Sequence, residues 1–320
     1  MKNIIGLIVI LFFTQGCANT AFFAPSKAQT LNPDIRWIES ESGNRIAHLW
    51  IPAKEDIQHR GFVVHFHGNS GHMEQTQEKV DWLAKHGYDV MVFDYSGFGH
   101  STGSVGDRSA YLDAISILKH IEKLQTHIQQ PTFTVATSTG GNIFLRALAD
   151  NPINLDGIII DSSFTSYVDE AKFVLDKGMF GEWYSWIAHF IMRDNYAAKE
   201  FVATLPEMQS LVIHCESDNI VPIASGEEIY QQLPGNKNFW RLDTCNHAQA
   251  MTNAFPDNQK RIVNWLEQAA PLVEAADSTA MPYQVANTNS PAFTEKEMTN
   301  KRSSNSNNMK DQQPLGLARF

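Results

Sequence analysis

The sequence predicts an α/β fold: an eight-stranded, mostly parallel, doubly wound sheet. Three observations carry that expectation. Between residues 30 and 270, short runs rich in β-branched residues alternate with amphipathic segments, the pattern of strand–helix–strand units. Several of the short runs are nearly all apolar, which suits strands covered on both faces. The segments between them carry apolar residues at helical spacing, as at Leu112, Ile115, Leu118, Ile121 and Leu124.

In chain order, Ile35–Glu39 and Arg45–Ile51 read as an opening antiparallel hairpin turning at Ser42-Gly43-Asn44. Phe62–Phe66, Val90–Asp94, Phe133–Thr137, Leu155–Ile160, Leu211–His214 and Asn238–Leu242 are the six further strands. A helix over Glu74–His86 should end at Gly87, a suitable C-terminal cap. The next, Ser109–Ile128, cannot continue through Pro131, and Asn142–Ala149 forms a third. Phe164 to Pro206 then runs without a strand and carries ten aromatic residues, Trp183, Trp186 and Phe190 among them. This stretch, 164–206, is expected to be a helical cap insertion; helices packed on the sheet edge are the plainer reading.

The two ends lie outside that pattern. Residues 1–16 combine an early Lys, a mostly apolar stretch from Ile4 to Phe13, and small and polar residues, the three regions of a secretory signal. The stretch is shorter than the ~20 residues that cross a bilayer. Thr14-Gln15-Gly16-Cys17 resembles the bacterial lipoprotein signal, in which Cys17 becomes the lipidated N-terminus. Thr14 departs from it, since Leu is favoured there, and an ordinary cleaved signal with an incidental Cys competes. The expected location is the bacterial cell envelope, with the chain membrane-anchored through Cys17 on the periplasmic side or outer membrane, or alternatively secreted. Residues 17–30 read as a linker, 31–270 as the folded domain, and 271–320 as a disordered tail too polar to offset its chain entropy.

Composition excludes some functions. A net charge of −10 without a basic run argues against nucleic acid as a partner, because phosphates must be neutralised. Three cysteines without CxxC or Cys/His spacing offer no structural metal site.

The chemistry begins at residues 133–141, FTVATSTGG: an apolar strand, Ser138, then Gly140-Gly141 opening a helix. That is a nucleophile elbow, in which a strained Ser needs small neighbours two positions away on either side. Ala136 replaces the usual first Gly, the smallest departure possible. A serine hydroxyl needs a base, and the base an orienting acid. In the order Ser, acid, His, the acid is Asp218 in the loop after Leu211–His214, and the base is His247 just past Asn238–Leu242. Asp161 is a rival acid; Asp243 comes too early. His65 and His67 read as structural. The oxyanion hole would use the backbone amides of Asn69, in the His67-Gly68-Asn69-Ser70-Gly71 loop, and Thr139.

With these motifs in place the chain resembles the α/β-hydrolase serine hydrolases. HFHGNSG (65–71), FDYSGFGHSTG (93–103), the elbow, DSSFTS (161–166) and HCESDNIVP (214–222) follow in that family's order and spacing over about residues 45–268. The nearest branch holds monoacylglycerol-lipase-like and depalmitoylase-like members. The resemblance implies an esterase or thioesterase acting on small acyl substrates without a cofactor. Ser138, Asp218 and His247 match its triad, and Asn69 and Thr139 its oxyanion donors. Departures are Ala136, Ser96 where the branch often has Arg, and Cys215 where Gly is usual. A peptidase on the same fold and a catalytically silent, hydrolase-like binding lipoprotein are the other readings. The sequence does not speak to oligomeric state.

Cys215 and Cys245 fall at the ends of the strands bearing the acid and the base. A bridge would staple the two loops together. Two buried free thiols stand ahead of it, since Cα separation is not legible in a sequence.

Overall fold

Ten strands are present among the described residues. In chain order they are β1 (Ala24–Pro25), β2 (Arg36–Glu39), β3 (Arg45–Ile51), β4 (Gly61–Phe66), β5 (Ser70–Gly71), β6 (Tyr88–Phe93), β7 (Thr132–Thr137), β8 (Gly157–Asp161), β9 (Gln209–Cys215) and β10 (Lys237–Leu242). Eight of them make one sheet, ordered β10–β9–β8–β7–β4–β6–β3–β2. Only the β2–β3 and β3–β6 pairs are antiparallel. The remaining pairs are parallel, as expected for strands joined by crossover helices. β1 and β5 form a separate two-residue parallel pair.

The computed structural model of the chain describes residues 19–30, 32–177 and 186–271. The signal segment 1–16, Cys17, residues 178–185 of the expected cap and residues 272–320 of the expected tail lie outside the described residues.

Strands β4, β7 and β8 are buried at every position, and the period of two splits their side chains between two cores. Phe62, Val64 and Phe66 meet Ile115, Leu118 and Phe144 on one face; Val63 meets Leu83, Ile262 and Leu266 on the other. Helices Asp107–Gln125 and Thr139–Asp150 cover the first face, and Pro256–Ala269 the second. Each fully buried aliphatic side chain contributes roughly 1.5–3 kcal/mol.

The expected helix 74–86 is not one helix. A turn of α-helix, Met73–Thr76, passes into 3₁₀ turns at Gln77–Lys79 and Asp81–His86, with Val80 leaving helical backbone at φ −136°. Val80, Trp82, Leu83 and Ala84 are all buried, a spacing that no single 3.6-residue stripe accommodates. Gly87 does cap it, at φ 90°.

Between β8 and β9 the described residues contain no strand. The helix Tyr167–Asp176 is capped by the Ser166 hydroxyl, and the short Ala188–Ile191 follows. Phe164, Tyr167, Met192, Ala197 and Val221 form a third, smaller apolar cluster.

Strand order reverses around β4: β6 pairs on one side of it and β7 on the other. The carboxyl ends of β4 and β7 therefore flank the switch point, where open α/β sheets place their ligands. Gly68 follows the first and Ser138 the second.

Candidate active site

Ser138 caps the helix Thr139–Asp150 with φ 54° and ψ −126°, a conformation that costs a non-glycine residue of order 1–3 kcal/mol. Its surroundings hold it there. Its N–H donates to Asp161 O (2.9 Å), while Ser163 Oγ donates to its carbonyl (2.7 Å). A side-chain carbon at Gly140 would lie 2.3 Å from the carbonyl oxygens of both Phe66 and His67, so the helix can start this close to β4 only on glycine. The elbow thus aims the Ser138 hydroxyl off the sheet, above a helix N-terminus whose first amides lack intrahelical acceptors.

His247 and Asp218 meet that hydroxyl. His247 Nε2 stands 3.0 Å from Ser138 Oγ, and Nδ1 stands 2.8 Å from Asp218 Oδ2. The other carboxylate oxygen accepts from Ile220 N–H and Val221 N–H, both at 2.9 Å. Burial alone would raise the Asp218 pKa. The His247 hydrogen bond and charge, with those two amides, outweigh it and hold the carboxyl below its ordinary range. Asp218 is thus an anion shielded from water, while the His247 side chain remains 16% exposed on the open side. Asp161, the rival acid, bonds Ser162 Oγ at 3.1 Å, and burial raises its pKa.

Ser162, Lys79 and His67, outside the expected set, steady this group. Ser162 and Ala248 both sit at positive φ (52° and 53°), and Ala248 N–H donates to Ser162 Oγ at 3.0 Å. Lys79 Nζ donates to Ala248 O. The residue after His247 is thereby clamped on both backbone polar groups. His67 is the third. Its Nδ1 lies 2.8 Å from Gly68 O, the carbonyl of the peptide whose N–H is that of Asn69. Trans geometry points that N–H opposite to the held carbonyl. Only the histidine–glycine pair in the sequence hinted at this role. Gly68 passes so close that an added Cβ would lie 3.4 Å from Ser138 Cβ, which brings the Asn69 loop up to the elbow. Ser96, where the related branch often has Arg, is buried against Asn44 Nδ2 at 2.9 Å and so belongs to the hairpin turn.

Cys215 and Cys245 are disulfide-bonded, with Cα atoms 5.4 Å apart, so the free-thiol expectation is corrected. β9 and β10 run parallel in register, Leu242 opposite Cys215, and this delivers both chains to one edge.

A sheet of this kind is also found in known proteins. The chain has the α/β-hydrolase fold. Residues 57–197 match the Hydrolase_4 family model, described as serine aminopeptidase, S33. The match includes Asn69 and Ser138 and stops before Asp218 and His247. The uncharacterized protein YfhR of Escherichia coli (strain K12) is 23% identical over 80% of the chain and 92% of its own length. Lysophosphatidylserine lipase ABHD12 of Danio rerio is 27% identical over 55% of the chain and about half of that protein, 48%. In fold, the hydrolase is similar to Pyrococcus furiosus esterase Pf2001 (TM-score 0.59, 19% identity, 77% of this chain and 97% of that one). It is likewise similar to a soluble variant of monoglyceride lipase from Saccharomyces cerevisiae (TM-score 0.60, 16% identity, 77% and 98%).

One carboxyl beside the triad is not explained by it. Glu170 of the helix Tyr167–Asp176 is 3% exposed, and its Oε2 has no hydrogen-bond partner among the described residues. Burial, and then the Asp218 charge, push its pKa from 4.5 up to about 8 against a smaller opposing effect of Lys177. An acid that holds its proton more tightly when folded makes the fold lose stability as pH rises from 4.5 to about 8, by about 1.4 kcal/mol per unit. Glu170→Gln is therefore expected to melt close to wild type at pH 4–5 and above it at pH 8–9. Thermal melts at the two pH values check this; an equal shift at both would contradict it.

Proposed function

We propose that this hydrolase cleaves carboxylic ester or thioester bonds of acyl substrates through an acyl-enzyme on Ser138. The single observation supporting it most is the alignment of His247 Nε2 3.0 Å from Ser138 Oγ with Nδ1 2.8 Å from Asp218. With the Nδ1 proton donated to the carboxylate, Nε2 keeps the lone pair that accepts the Ser138 proton. Oγ then bonds to the acyl carbon, and the carbonyl electron pair moves onto oxygen, where the Asn69 and Thr139 N–H groups donate to it. The Nε2 proton passes to the leaving alcohol or thiol. Water, deprotonated by the same nitrogen, attacks the acyl carbon; the bond from that carbon to Oγ breaks, Oγ takes the proton back from Nε2, and the acid leaves. The names of the relatives, an esterase and two lipases, favour esters, and the aromatic stretch 164–206 suits an apolar acyl group.

Export and lipidation at Cys17 belong to the same reading. The disulfide suits an oxidising compartment. Phe22, whose carbonyl accepts from Asn69 Nδ2, is five residues from Cys17, at most ~18 Å of extended chain. A chain anchored there would work within that distance of a lipid surface and its acyl esters.

A fluorophosphonate probe, applied to wild type and to Ser138→Ala, tests the nucleophile, and acyl esters of two to sixteen carbons measure the substrate. Labelling and turnover confined to wild type are expected. Equal labelling of both proteins would refute the assignment. The family description as an aminopeptidase supports a second reading, peptide amides. Turnover of aminoacyl anilides exceeding that of every ester would favour it.

A further inference from the structure

We propose that the segment Phe22–Ala28, expected from sequence to be a linker, is a positioning strap for the oxyanion loop. The proposal rests on the reading of Asn69 as an oxyanion donor.

An oxyanion donor works by being fixed before charge develops. The loop carrying Asn69 is poorly suited to that by itself, with glycines on either side and Gly71 at φ 82°. The strap supplies the missing constraints. Ala24 N–H donates to Asn69 O at 2.8 Å, and Asn69 Nδ2 donates back to Phe22 O at 3.0 Å. Asn69 is thereby held at its carbonyl and at its side chain, which fixes the direction of its remaining backbone group, the N–H. One step on, Ser26 N–H donates to Gly71 O at 3.0 Å, completing the β1–β5 pair.

The strap is itself pinned from behind. Gly99 N–H donates to Ser26 O at 2.8 Å, and Lys27 Nζ donates to Ser101 O at 3.2 Å. Phe23 is buried, with its ring edge-on to Phe98 at 6.4 Å. The neighbouring Phe22 ring meets Phe164 and Tyr167 at 5.7 and 5.4 Å, so the same few residues also brace the start of the insertion. These contacts account for asparagine at 69, where the reaction asks only for a backbone amide. They also make the N-terminus part of the site's frame.

Ala24→Pro removes one donor from the strap, and Ala24→Ser keeps it. Both are measured in the full chain for acyl-ester turnover, thermal melting and amide hydrogen exchange at residues 68–71. Ala24→Pro is expected to lower kcat about tenfold, below the ~10²–10³ cost of losing a whole donor. KM should stay within twofold and melting close to wild type, while exchange at 68–71 accelerates at least tenfold. Ala24→Ser should match wild type in all respects. Unchanged exchange at 68–71 in Ala24→Pro, or equal kcat in the two variants, overturns the strap. So does a loss of activity accompanied by general unfolding without selective exchange at 68–71. If wild type itself turns over no ester, the ester reading fails separately, and exchange alone still decides whether the loop is braced.

Discussion

Asp218→Asn is expected to lower kcat by about 10⁴ while KM and thermal stability change little. The size follows from how the carboxylate is held. Asp218 Oδ1 accepts two backbone N–H groups, from Ile220 and Val221, so an asparagine must place its carbonyl oxygen there. Its amide NH₂ then faces His247 Nδ1, because turning it around would set two donors against two donors. Facing a donor, Nδ1 must accept, and the ring proton moves to Nε2. There it points at Ser138 Oγ, where a lone pair is needed. The fold is intact and the base is in the wrong tautomer, the situation in which an orienting acid's loss costs about 10⁴. Steady-state kinetics with an acyl ester and a melting curve check it. A loss below tenfold would mean that Asp218 does not set the imidazole tautomer.

The parts of this fold and site that were legible in the sequence are those written locally. Strands β4, β7 and β8 are buried on both faces, and they announce themselves as short runs rich in β-branched and aromatic residues. The elbow's signature is local too, Ser138 between a strand and a glycine-opened helix, although what forces Gly140 is the approach of the distant Phe66 and His67 carbonyls. Asp218 and His247 were picked out by their order along the chain, each a few residues beyond a strand, and the structure brings both beside Ser138.

What was hidden depends on contacts between distant segments. The β1–β5 pair is two residues long, too short for periodicity, and its composition is that of a linker. The clamp of Ser162 and Lys79 on Ala248 joins three segments far apart in the chain, and none of the three carries a motif for it. The helix expected over 74–86 failed because its buried residues follow the needs of the sheet face and the Lys79 contact rather than a single period. The His67 role could be read only once the carbonyl it bonds was seen to share a peptide with the Asn69 amide.

Removing the Cys215–Cys245 bridge is expected to have the largest effect on stability. The bridge spans a sequence separation of 30, and closing a loop of that size in the unfolded chain corresponds to about 3.5 kcal/mol. For a domain of this size that is a fall in Tm of about 7–14 °C. The double variant Cys215→Ala/Cys245→Ala is the suitable one, because both positions are buried and a serine hydroxyl would add an unpaired polar group. A second consequence concerns the triad. Cys215 lies three residues before Asp218, and Cys245 two before His247, so the bridge fixes the distance between the acid loop and the base loop. On the other side of His247, the Ala248 contacts to Ser162 and Lys79 hold the loop from its far end. Without the bridge the imidazole pivots on that far end. A displacement of an ångström is worth about 10² in rate, so a fall in kcat of about tenfold at 25 °C is expected while the protein is still folded. Melting curves and ester kinetics on the double variant separate the two effects. A lower Tm with unchanged kcat would make the bridge a staple of the fold alone, and an unchanged Tm would remove even that role.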